Sequence, residues 1–154
     1  MNKHLIVIGT VVLLLAVGLS GCEELEELLD KPDYIIVRVY CKVEAVIHDD
    51  SGASFPAEGV YVEIEIIKAG GERRSIKGLT TTGLTAIFKL YREQPITCIA
   101  NVVLISGVDE EYPEYTFNGA SHTISWNEIY PQYDFGDNAY KDVTLVIHGY
   151  KKEN

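Results

Sequence analysis

At 154 residues the chain is long enough for one domain and too short for two of ordinary size. Its 47% apolar and 23% charged residues are ordinary globular usage, which excludes wholesale disorder. A formal charge of −10, with no basic run longer than the pairs Arg73-Arg74 and Lys151-Lys152, excludes nucleic acid as a partner, because phosphate neutralisation supplies most of that affinity.

Residues 1–4 carry Lys3 and no acid, and residues 5–19 run without a single charge. This is the pattern of a signal segment, a basic start followed by an apolar helix. The apolar run is about 15 residues, short of the roughly 20 that a helix needs to cross the hydrocarbon core. It ends in Leu19-Ser20-Gly21-Cys22, a branched residue, two small ones and a cysteine. That tetrapeptide resembles the lipobox of prokaryotic lipoprotein precursors at every position. The resemblance implies that the Cys22 thiol receives a diacylglyceryl group and that a dedicated peptidase cuts before it. Removing residues 1–21 takes away one lysine and no acid, leaving −11 on the mature part. The implied address is outside the cytoplasmic membrane, with the acylated Cys22 holding the chain to the lipid bilayer.

Residues 22–33 come next, with Leu25, Leu28 and Leu29 at helical spacing among glutamates and Pro32 as a stop. Three leucines over two turns bury too little to hold a helix alone, so this reads as an acidic stalk rather than a docking helix.

From residue 34 to 150 the pattern is β. Val37, Val39, Cys41, Val43, Ala45 and Ile47 alternate with Arg38, Tyr40, Lys42, Glu44 and His48, which predicts a half-buried strand over 35–47. A turn at Asp49-Asp50-Ser51-Gly52 follows. Val60, Val62, Ile64 and Ile66 make a second strand, and Gly70-Gly71 a hairpin turn into residues 73–77. Further strands are expected over 84–91 and 96–105, the latter with Ile96, Cys98, Ala100, Val102 and Leu104 on one face. Val143, Leu145 and Ile147 form the last. Between residues 106 and 141 the alternation dissolves. A connection this long either hides an edge strand, with residues 114–117 as the candidate, or is a functional loop. Residues 125–129 have room for one helical turn at most. Six or seven short strands without an ordinary helix predict an all-β, antiparallel sandwich of the Ig-like or transthyretin-like kind, preceded by the signal helix.

The run Phe55-Pro56-Ala57-Glu58-Gly59-Val60-Tyr61-Val62, then Thr80-Thr81-Thr82-Gly83 with Ala86 and Phe88, then Pro95-Ile96-Thr97-Cys98, resembles the transthyretin-like or carboxypeptidase regulatory-like sandwich. The spacing from Gly83 to Ala86 is one residue longer than usual, which a bulge would absorb. The resemblance implies a fold and no catalytic residues. An antibody-type domain is disfavoured, because Trp126 lies after Cys98 rather than between the cysteines.

Cys41 and Cys98 remain once Cys22 is set aside, an even number in a compartment where disulfides persist. Both fall on inward faces. A bridge between them is expected, worth about 4 kcal/mol for a loop of this length, and the alternative is two buried thiols.

No Gly-x-Ser-x-Gly turn is present, and His48, His122 and His148 are each isolated in sequence, so no catalytic residue and no metal site is expected. Asp109, Glu110, Glu111 and Glu114 lack the spacing of a calcium loop and read as a solvated acidic segment. Dinucleotide and phosphate-loop glycine patterns are absent, so no cofactor is expected. The compositional oddity is aromatic. Tyr112, Tyr115, Trp126, Tyr130 and Tyr133, with Phe117, Phe135 and Tyr140, crowd the irregular stretch among asparagines and glutamines. Flat amphipathic rings beside amides serve a sugar-binding or protein-binding loop, or they pack the loop onto the sandwich. Trp126 is the ring expected to be mostly buried, with the tyrosines carrying any exposure. The expectation is a non-enzymatic surface module for a protein or glycan, the alternative a structural subunit of an envelope complex.

Overall fold

The computed structural model describes residues 32–103 and 111–153. The signal segment 1–21, Cys22 and nearly all of the stalk lie outside the described residues, as do Asp109 and Glu110. The described part is all-β: two sheets enclose one apolar core, and among the described residues no helix is long and apolar enough to cross a membrane.

Nine strands are described, not six or seven. They are β1 (Tyr34–His48), β2 (Ser54–Ala57), β3 (Tyr61–Lys68), β4 (Arg73–Leu79), β5 (Gly83–Tyr91), β6 (Ile96–Val102), β7 (Tyr115–Asn118), β8 (Ala120–Ile124) and β9 (Asn138–Lys151), with one helical turn, α1 (Trp126–Ile129), after β8. The long strands are those that alternation predicts. Ile35, Val37, Val39, Cys41, Val43 and Ala45 of β1 are all buried, and the intervening residues face out. The strands missed in sequence, β2 and β8, have four and five residues. That is too few positions for a period of two to stand out. Pro56 is tolerated in β2 because that strand pairs on one side only. The candidate edge strand of the irregular stretch is present as β7.

The first sheet is built around β1. β9 lies along one side from Ile36 to His48, and the other side is shared by β5 over Tyr34–Lys42 and β2 over Ala45–His48. β7 then pairs with the far edge of β9. The second sheet runs β4-β3-β6-β8 with antiparallel neighbours throughout. The expectation of purely antiparallel pairing needs one correction, because β1 and β9 are parallel. The long excursion after β6 explains it: a parallel neighbour requires a crossover of a dozen residues or more. The chain returns to the start of β1, where Gly136 N–H donates to the Tyr34 carbonyl and Ile36 N–H to the Asp137 carbonyl, both at 2.9 Å.

The turns follow their residues. In the β1–β2 turn the Asp49 carboxylate accepts from Ser51 N–H, Ser51 Oγ and Ala53 N–H, and Gly52 takes φ +82°. These donors hold the Asp49 carboxyl below its ordinary value, the Ser51 hydroxyl contributing most. Gly70 and Gly71 both adopt positive φ in the β3–β4 hairpin. No bulge absorbs the extra residue after Gly83, because β5 stays in register with β1 from Gly83 to Tyr91.

The expected Cys41–Cys98 bridge is not formed, since both residues are free thiols. The topology nevertheless brings them together: Cys41 in β1 and Cys98 in β6 are fully buried in opposite sheets, and their side chains hydrogen-bond across the core. That bond and burial push the Cys98 thiol far above its ordinary range, so it is protonated and unreactive. In a full chain carrying Cys22→Ser, alkylation should find no reactive thiol in the native state and two in denaturant. A thiol modified at the rate of a free peptide without denaturant contradicts this packing.

Candidate functional site

The aromatic stretch divides into two groups. Fourteen residues separate Tyr34 from His48 along β1, about 45 Å of strand. At the far end Tyr115 pairs with Lys151, whose ammonium reaches Asp50 just past β1. At the near end α1 sits beside the β5–β6 turn.

The far group is packing. Tyr112 meets Tyr115 and Phe117 edge-on at 6.4 and 6.2 Å, and its hydroxyl accepts from Glu58 N–H at 3.2 Å. Tyr112 and Phe117 both pack on the core. Gly149 makes room, since a Cβ there would meet the Phe117 ring at 2.7 Å. Tyr112 and Tyr115 are therefore half-buried members of a satellite cluster rather than free rings.

The near group forms a cleft. Ser125 opens α1, and the Glu128 carboxylate reaches back to accept from Ser125 N–H at 3.0 Å. Ile129 is buried and Tyr133 packs on the core, so the turn is pinned from beneath. One turn apart, Trp126 and Tyr130 project from it and stack at 5.5 Å with planes 19° apart. Phe135 lies 5.5 Å from Trp126, with the Arg92 guanidinium 5.8 Å from its own ring centre. The resulting cleft has a volume of about 600 Å³ and is lined by Arg92, Glu93, Pro95, Ser125, Trp126, Asn127 and Tyr130.

Of the five rings singled out in sequence, Trp126 and Tyr130 share this cleft, whereas Tyr112, Tyr115 and Tyr133 are packed. Trp126 packs against the core and keeps only part of its surface free, in line with the expectation that it is mostly buried. Tyr130 is the exposed tyrosine among the four, at 39%. Sequence reasoning assigned Arg92, Glu93 and Pro95 to no site, Pro95 entering only through the sandwich resemblance. They stand in the turn after β5, more than thirty positions before Trp126, and carry no local signal.

The Glu128 carboxylate also faces Lys141 at 3.4 Å and His122 at 3.8 Å. The Ser125 N–H first, and Lys141 next, hold its carboxyl below the usual glutamate value. A lowered folded value contributes stability above the unfolded pKa near 4.3, and that contribution is lost as pH falls through the folded value. Glu128→Gln should therefore lower stability at pH 7 by no more than about 1 kcal/mol, the side chain being a third exposed. Denaturant titrations of the two proteins should converge as pH falls through the folded-state value of Glu128. A gap that persists there would assign the effect to packing.

Among the described residues no group of three or more His, Cys, Asp or Glu side chains converges to hold a metal ion. Comparison with known proteins returns no matching family profile, no matching curated protein and no matching solved structure.

Proposed function

We propose that this chain is an extracytoplasmic surface lipoprotein, held to the bilayer by acylated Cys22, whose sandwich is a non-catalytic module binding a glycan in the Trp126–Tyr130 cleft. The stacked ring pair beside Arg92, Glu93 and Asn127 carries the reading. The apolar faces of a sugar ring stack on flat aromatic rings, while its hydroxyls need the donors and acceptors those three side chains offer. A cleft of about 600 Å³ falls within the range of small-ligand sites, which favours a glycan over a protein. The segment from Phe55 to Val62 and the turn before Gly83 support the transthyretin-like, Ig-like form of the sandwich, with Val60, Val62, Ala86 and Phe88 all in the core.

The structural-subunit reading draws on the other rings, since Tyr112 and Tyr133 pack onto the sandwich as a spacer's would. One measurement separates the two. Trp126 is the sole tryptophan, so its emission reports the cleft alone. Titration with envelope oligosaccharides should shift that emission saturably for at least one of them. Emission unmoved across the panel would favour the spacer.

A further inference from the structure

We propose a second site on the outer face of the first sheet, in which His48 and His148 together bind a divalent transition-metal ion of the Zn²⁺ class. It is independent of the cleft, which lies at the other end of β1. The parallel register sets Val46 beside His148 and His48 beside Tyr150, bringing together two histidines a hundred positions apart. His48 Nε2 lies 2.9 Å from His148 Nδ1, and the rings are 5.2 Å apart. Both side chains are half-buried, and the Tyr150 ring stacks on His48 at 4.8 Å with planes 9° apart. The two rings thus stand with ring nitrogens facing each other, as a chelating pair requires.

The proton inventory permits the exchange. One of the two facing nitrogens donates and the other accepts. Ser54 Oγ lies 3.0 Å from His48 Nδ1, the nitrogen on the far side of that ring. When the metal takes the lone pairs of His48 Nε2 and His148 Nδ1, the His48 proton moves to Nδ1 and is donated to Ser54 Oγ, whose own hydroxyl turns away. No net proton leaves a neutral pair. Zinc to nitrogen distances of about 2.0–2.1 Å in tetrahedral geometry place two ligand nitrogens about 3.3 Å apart, so the rings part by roughly 0.4 Å. Imidazole nitrogens suit Zn²⁺, Cu²⁺ and Ni²⁺ over the oxygen-seeking Ca²⁺ and Mg²⁺. Asn118 is the cross-strand neighbour of His148 on the same face, and water fills the positions the protein leaves open.

Calorimetric titration of ZnCl₂ into the full chain carrying Cys22→Ser, which removes that thiol as a competing ligand, tests the site. Expected are one saturable event reversed by EDTA, its loss in His48→Ala and in His148→Ala, and its retention in His122→Ala. Ser54→Ala should weaken it about tenfold, as removal of an orienting partner does. Circular dichroism confirms that each variant is folded, and His148→Gln replaces His148→Ala if that protein is not. Absence of saturable binding, or binding that survives in the His48→Ala, His148→Ala double variant, overturns the proposal.

Discussion

Cys22→Ser is expected to abolish both lipid attachment and processing of the precursor. Wild-type chain extracted from membranes should have the mass of a polypeptide starting at Cys22 plus its acyl groups, and the variant the mass of a chain starting at Met1. The magnitude follows from the anchor's chemistry. Each buried CH₂ contributes about 0.8 kcal/mol, so one acyl chain holds reversibly while two or three hold for good. The apolar run that precedes Cys22 is no substitute, because about 15 residues of helix rise about 22 Å and the hydrocarbon core is about 30 Å thick. An unmodified wild-type chain beginning at Met1 would sink the lipoprotein reading and leave a tilted or thinned single span.

Trp126→Ala should remove glycan capture while leaving the sandwich folded. A ring that stacks against a ligand at the centre of its site costs 2 kcal/mol or more of binding on truncation, roughly thirtyfold in affinity. A fully buried core aromatic costs about 3 to 5 kcal/mol of stability when cut to alanine, and Phe88, at 2% exposure, belongs to that class. Trp126 is partly buried and packs against the core, so its truncation should cost about 1 to 2 kcal/mol of stability. Phe88→Ala is therefore the reference for a packing residue. A Trp126→Ala protein that melts as low as Phe88→Ala would make the ring a core residue. One that melts near wild type and still captures the glycan would move the site away from the cleft. Tyr130→Ala should follow Trp126 in binding and barely alter stability, because its ring is the more exposed of the pair.

The aromatic stretch shows where a sequence reading reaches its limit. Composition pointed to the segment that carries the cleft and, within it, to both cleft rings. It could not separate Trp126 and Tyr130 from Tyr112 and Tyr115, because all four sit among the same polar neighbours. Exposure is decided by what lies beneath each ring: Gly149 opens a seat for Phe117, which draws Tyr112 against it, whereas Ile129 anchors α1 and leaves the rings above it half free. The polar wall of the cleft was out of reach for a similar reason. Arg92 and Glu93 read as an ordinary turn after a strand until the β5–β6 connection is set beside α1.

By itself the sequence determined the class of the fold, the turns at Asp49–Gly52 and Gly70-Gly71, and the inward residues of β1, β3 and β6. These are local properties: a period of two marks the buried face of a strand, and paired glycines permit a tight turn. Only the tertiary structure decided which strands are neighbours. Alternation says which way a side chain points and nothing about the chain it meets, because distant pairing depends on how two whole sheets bury their faces together. That step made β9 a parallel partner of β1, and from it follow the facing of His48 and His148 and the placing of the two aromatic groups at opposite ends. The packing of one sheet on the other set the Cys41 and Cys98 thiols side by side.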